Sequence, residues 1–289
     1  MIARHPAAEV DQVTGPLAGH GEGPVWCPRW PGLRWVDMLA GDVLTLGPGG
    51  EVQRQHVGSV AAALRPREAG GAVLALERGF ALADDSLQEV RPLPELWSGA
   101  DVRMNEGACG PDGAFYCGSM AYDERTGAGT VYRLTPHGRV EVVLNEVSIS
   151  NGLMWTEDGS RAYYADTPTH RVDVFDFEAG ELVGRRPFAH IDPADGSPDG
   201  LTVDAEGGVW VALWGGGAVR HYAPDGSLAE IVEVPAPKVT ACTFGGEDLD
   251  RLFITTSQVG TDLREHPGAG AVFATSPGVR GLPVRTYAG

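Results

Sequence analysis

A repeat of about 45 residues runs six times through the chain, and it restricts the fold more than any other feature. Each copy is a short apolar strand followed by a hairpin to a second strand. The copies are LRWVDMLAGDVLTL from Leu33, AVLALERGFALADD from Ala72, and AFYCGSM from Ala114, which continues into GTVYRL. RAYYADTPTHRVDVFDF from Arg161, VWVALWGGGAVRHY from Val209, and RLFITTS from Arg251 with its partner GAVFAT complete the set. Anchored on Trp35, Leu74, Tyr116, Tyr163, Trp210 and Phe253, the spacings are 39, 42, 47, 47 and 43 residues. Strand-rich units at such a period stack side by side, because one unit cannot bury its apolar face alone. Acidic-Gly turns precede several of these strands, at Asp112-Gly113, Asp158-Gly159 and Glu206-Gly207. No convincing amphipathic helix interrupts the pattern. Six units of four strands predict an all-β, six-bladed β-propeller, which hides its sheet edges by radial repetition. We expect one domain over residues 1–289, with the strand-like AAEVDQV near the N-terminus closing the last blade.

Composition removes several functions. A formal net charge of −17, with no basic stripe, excludes a nucleic-acid partner, since a polyanion is held by clustered cations. It also argues against an anionic membrane surface. No apolar run approaches a membrane span, and the N-terminal residues lack the apolar core of a signal peptide. The four cysteines, Cys27, Cys109, Cys117 and Cys242, lack C-x-x-C spacing and read as reduced, buried thiols. A cytoplasmic protein is expected, and a closed ring makes a monomer the default.

A second recurring piece precedes five of the six anchors by about 10–13 residues: Glu22-GPVW, Glu106-GACG, Asn151-GLMW, Asp199-GLTV and Thr240-ACTF. In a propeller the first strand of every blade lines the central channel. Equivalent positions therefore face one another across the axis, and four oxygen-bearing side chains from four blades are expected to meet there. Crowded carboxylates repel unless a cation neutralises them. Carboxylate and amide oxygens suit Ca²⁺, Mg²⁺ or Mn²⁺ better than a soft metal.

The segments GEGPVWCP…LRWVD, RMNEGACGPDGAFYCGSM, SNGLMWTEDGSRAYYADTPTHRVDVFDFE, SPDGLTVDAEGGVWVALWGGGAVRHY and CTFGGEDLDRLFITTS resemble, in order, the signature blocks of the SMP-30/gluconolactonase/LRE family. That family includes regucalcin and bacterial sugar lactonases such as xylonolactonase. The resemblance implies a six-bladed propeller that hydrolyses a small-molecule lactone with one divalent metal ion. Ca²⁺ leads the candidates, with Mn²⁺, Mg²⁺, Zn²⁺ or Fe²⁺ as alternatives. It further implies Glu22, Asn151 and Asp199 as metal ligands, Asp199 as general acid/base, and Arg103 and Asn105 as holders of substrate oxygens. The cation would polarise the lactone carbonyl while Asp199 moves the proton.

Two positions depart from the family pattern. Members commonly carry Asn-Asp-Gly where this chain has Asn105-Glu106-Gly107, which extends the carboxylate by one methylene. Regucalcin-like members place a substrate-contacting Glu after Gly-Thr-Met, where Gly118-Ser119-Met120-Ala121 here leads to Tyr122. Glu106 and Tyr122 therefore join the candidate substrate contacts and leave the substrate open. A non-catalytic calcium- or ligand-binding propeller, or a member acting on a non-sugar lactone or other ring substrate, are the alternative readings.

Trp26, Trp155 and Trp210 read as core aromatics. Trp214, at a strand end before a Gly run, reads equally as pocket wall. The histidines show no ligand spacing; His20 stands apart because it flanks Glu22. Ser119, Ser150 and Ser257 lack a G-x-S-x-G context. Lys238 reads as a loop lysine near the channel rim.

Overall fold

The computed structural model describes residues 2–289 and is a six-bladed β-propeller. Blade 1 comprises Gly21–Trp26, Leu33–Asp37, Asp42–Leu46 and Val52–His56, hydrogen-bonded in chain order and antiparallel. Blades 2, 3 and 4 repeat that plan from Ala61–Pro66, Val102–Cys109 and Ser150–Trp155 outward. Blade 5 begins at Ser197–Val203 and blade 6 at Val239–Gly245. The six sequence anchors all fall on the second strand of their blade, where Val, Trp, Tyr and Phe pack on both faces.

The ring closes differently from the simple expectation. Asp11–Gln12 pairs antiparallel with Val272–Thr275 as the outer strand of blade 6. Part of the neighbouring segment is not a strand: Ala7–Glu9 forms a 3₁₀ turn. Ala3–His5 then adds a fifth, parallel strand to the outside of blade 5. The N-terminus thus ties two adjacent blades together, a connection that strand patterning does not reveal.

Aromatic side chains glue neighbouring blades. Phe80 of blade 2 meets Phe115 of blade 3 edge to face, with ring centroids 5.7 Å apart, and Tyr116 lies 4.9 Å from Trp155 of blade 4. Trp210 of blade 5 contacts Phe244 of blade 6 at 5.8 Å, and Phe253 of blade 6 stacks on Trp26 of blade 1. Trp35, Trp155 and Trp210 are fully buried; Trp26 is half-buried. Truncating a buried Trp in such a position costs about 3–5 kcal/mol. The four cysteines are free and buried.

The C-terminal tail crosses one end of the channel. The Tyr287 hydroxyl donates to the Thr135 carbonyl at 2.9 Å, its backbone N–H donates to the Pro66 carbonyl, and an Arg285 guanidinium nitrogen donates to the Thr156 carbonyl. Among the described residues, no helix is long and apolar enough to cross a membrane.

Candidate metal centre and substrate pocket

The first strand of every blade carries a register shift near its start. The shifts fall between Glu22 and Val25, Ala61 and Ala63, Met104 and Gly107, Ser150 and Leu153, Pro198 and Leu201, and Val239 and Ala241. A β-bulge re-aims the side chains it contains. Six bulges at one phase turn Glu22, Asn105-Glu106, Asn151 and Asp199 toward the axis at a single level. Blade 2 offers only Ala62 there, which explains why no polar motif marks it. In blade 6 the Thr240 hydroxyl donates to the Gly21 carbonyl at 2.5 Å and pairs with Thr255, so it ties blades 6 and 1 together.

Glycines inside these bulges permit the close approach. A Cβ on Gly152 would lie 2.6 Å from the Leu201 nitrogen, and one on Gly200 would lie 2.9 Å from Ala241 Cα. Both contacts are with backbone of the next blade. That requirement accounts for the glycines that follow Asn151 and Asp199.

The cluster is almost completely withdrawn from solvent: Glu22 is 2 % exposed, Asn151 and Asp199 4 % each. Burial, reinforced by the Asp199 and Glu106 charges, holds the Glu22 carboxyl well above the usual range. Asp199 is raised in the same way, first by burial and then by Glu106, against a hydrogen bond from Asn151. Glu106 is also raised by burial, with Arg65 opposing the shift. Its Oε1 accepts from the Gly107 N–H at 2.8 Å and sits 3.4 Å from an Arg65 nitrogen. Three buried carboxylates thus face two buried guanidinium groups, Arg65 and Arg103.

Asn151 supplies the test of whether the donor set fits a cation. Its Nδ2 donates to the Thr167 hydroxyl at 3.1 Å, which aims the amide, while its Oδ1 is buried without a hydrogen-bond partner. An orphaned carbonyl oxygen beside two carboxylates is the donor set a hard divalent ion takes. Among the described residues, no three His, Cys, Asp or Glu side chains converge as ligands; the candidate set here is two carboxylates and one amide.

Arg103 and Asn105 lie beside this cluster and engage each other. Arg103 Nη1 donates to Asn105 Oδ1 at 2.6 Å and to the Met104 carbonyl at 3.0 Å, and Asn105 Nδ2 donates to the Ser150 carbonyl at 2.9 Å. The guanidinium is therefore fixed before any ligand arrives. Tyr122 is 44 % exposed at the rim; its ring lies 5.8 Å from the Arg103 guanidinium carbon, and its hydroxyl donates to Glu77 Oε1 at 2.8 Å.

The other side of the mouth holds His20 and Trp214. His20 is buried, its Nδ1 is 2.8 Å from the Ser257 hydroxyl, and its ring meets Trp214 edge to face at 5.8 Å. Burial and the Arg103 charge pull His20 down to about 4, so it is neutral near pH 7. Its place two residues before Glu22 was the only signal in the sequence. Trp214 is half-buried at this mouth.

The far half of the channel is a cavity of about 370 Å³ lined by later residues of the first strands, with Arg65 and Glu106 among them and the Leu282–Arg285 tail across it. Glu22, Asn151 and Asp199 do not line that cavity. The opposite mouth, where Arg103, Tyr122, His20 and Trp214 gather, is the candidate substrate side. Glu106 lies between the two, lining that cavity beside Arg65.

Residues 20–258 match the family model described as SMP-30/Gluconolactonase/LRE-like region. Regucalcin of Danio rerio is 33% identical over 279 residues, covering 93% of this chain and 95% of the relative. A 6-deoxy-6-sulfogluconolactonase of Pseudomonas putida is 34% identical over 278 residues, with the same coverage. The crystal structure of a calcium-binding regucalcin from Agrobacterium tumefaciens superposes with a TM-score of 0.92 at 28% identity, covering 99% of both chains. The chain belongs to the lactonase-type SMP-30/gluconolactonase/LRE family.

Proposed function

We propose that this protein hydrolyses a sugar (aldono-) lactone to the free acid, with one divalent cation held by Glu22, Asn151 and Asp199. The observation that carries the reading is the partnerless, buried Asn151 Oδ1 set between two carboxylates that burial leaves strained by like charge. When bound, a divalent ion offsets that repulsion and supplies Lewis acidity toward a carbonyl oxygen, with Ca²⁺ the first candidate. The sugar character rests on the lactonase relative, whose name specifies a sulfonated gluconolactone.

The chain's own residues then divide the work. Asp199 takes a proton from the attacking water as the water oxygen bonds to the lactone carbonyl carbon. The bond from that carbon to the ring oxygen breaks, and Asp199 returns the proton to the departing ring oxygen. Arg103, locked by Asn105, holds substrate oxygens so that the reacting atoms approach in one geometry. His20 and Trp214 wall the other side and exclude water. The closed ring supports a monomer as the working form, and the buried free thiols suit a reducing cytoplasm.

Metal analysis of purified protein, followed by a lactone panel with each metal restored, tests the reading. Chelation or Asp199→Asn should abolish hydrolysis with an unchanged β-rich circular dichroism spectrum. Hydrolysis that survives both refutes the mechanism.

A further inference from the structure

Lys238 is the only lysine in the chain, beside 21 arginines. It precedes the first strand of blade 6 and pairs backbone to backbone with Trp214 at the end of the second strand of blade 5. Its Nζ stands 4.5 Å from the centre of the Trp214 ring and donates to the Val259 carbonyl at 2.5 Å. Among the described residues, no carboxylate lies within ion-pair distance of that ammonium, although the chain carries 39 acidic residues. Trp214 in turn meets the His20 ring edge to face, so the ammonium, lying over Trp214, belongs to the mouth.

The position in the ring gives this cation a direction. Blade 6 stands diametrically across a six-bladed ring from blade 3, which supplies Arg103 and Asn105. A substrate whose reacting carbonyl faces the Arg103 side would extend its far end toward Trp214 and Lys238. An ammonium without a counter-ion, braced on an aromatic face, recognises an oxyanion as a compact point charge.

We propose that Lys238, braced by Trp214, forms a subsite for an anionic group (carboxylate, sulfonate or phosphate) at the end of the lactone remote from its ring carbonyl. This rests on the lactonase reading and narrows it to acid-substituted sugar lactones. The subsite selects within that class: a neutral lactone meets the same Asp199 and Arg103 but leaves Lys238 without a partner. The chain's overall negative charge opposes any anionic ligand, which makes a dedicated cation at the mouth more necessary.

The test compares kcat/KM for neutral glucono-1,5-lactone with that for glucaro-1,4-lactone and 6-phosphoglucono-1,5-lactone, at one ionic strength, in wild type, Lys238→Met and Lys238→Arg. A charge-assisted contact of this kind corresponds to roughly a 10- to 100-fold preference. The anionic-to-neutral ratio should fall by about that factor in Lys238→Met, through KM, and recover in part in Lys238→Arg. A ratio unchanged by Lys238→Met overturns the proposal, as does an equal fall for all three lactones, which would make Lys238 a structural brace. A parallel titration of tryptophan fluorescence with glucarate and with gluconate, at saturating calcium, separates this proposal from the one beneath it. Selective weakening of glucarate in Lys238→Met upholds the subsite even if no lactone is turned over. Hydrolysis of every lactone without Lys238 dependence sinks the subsite and leaves the lactonase reading standing.

Discussion

Asp199→Asn should make the metal-free protein more stable and the metal-loaded protein less stable than wild type. Glu22, Glu106 and Asp199 are buried together against Arg65 and Arg103, and when all three are ionised one negative charge is uncompensated. Two like charges about 4–6 Å apart interact by roughly 3–4 kcal/mol at an effective dielectric of about 20. The two arginines offset part of this, so removing one carboxylate should relieve about 1–3 kcal/mol. With an unfolding entropy of about 2.1 cal/mol/K per residue, a chain of 289 residues has roughly 0.6 kcal/mol/K. The midpoint of Asp199→Asn in chelator should therefore rise by about 2–5 °C. Saturating wild type with calcium or manganese at a hundred times Kd should add about 2.7 kcal/mol, or about 4–5 °C, and most of that gain should vanish in the variant. Differential scanning fluorimetry with and without chelator reads both arms. The same charges set a pH dependence. A carboxyl whose native pKa is raised binds more protons folded than unfolded, so metal-free stability should fall as pH rises above the ordinary carboxyl range. A variant less stable than wild type in chelator, with its full response to cation intact, would refute the shared-site argument.

Three further outcomes follow from other parts of the molecule. Arg65→Met should destabilise by about 3–5 kcal/mol, because it leaves Glu106 buried without its cation, and adding Glu106→Gln should restore much of that in urea unfolding. Gly200→Ala should cost about 1–3 kcal/mol and weaken the cation-dependent rise in midpoint, since the added Cβ meets the Ala241 backbone and pushes blades 5 and 6 apart beside Asp199. On blade 5, His221 lies 3.1 Å from Asp204 and stacks on Trp210, and the neighbouring carboxylates outweigh burial to lift it to about 9. The contact is out of line for a hydrogen bond, so about 1–2 kcal/mol is expected: present below pH 6.5, lost as pH rises through 9, and absent from the pH profile of His221→Gln.

How much of this protein can be read without coordinates depends on symmetry. The period near 45 residues determined six blades, and the polar-Gly motif at one phase of that period determined which side chains face the axis. Glu22, Glu106, Asn151 and Asp199 were visible for that reason: a repeat makes distant positions equivalent, so their meeting needs no knowledge of the path between them. Blade 2 and blade 6 were harder, since Ala62 carries no functional group and Thr240 is spent on the Gly21 carbonyl.

Everything that breaks the symmetry was decided by tertiary structure. Which end of the channel is the candidate substrate side depends on bulge geometry and on the tail that crosses the opposite end. That Glu106 lies beside Arg65, that His20 is braced by Ser257, and that Ala3–His5 joins blade 5 all involve residues with no counterpart in other repeats. The same holds for Lys238, a loop lysine in sequence and an unpaired ammonium over Trp214 in space. Periodicity reports what each unit shares with its neighbours; specificity comes from side chains that occur once, and only packing brings those together.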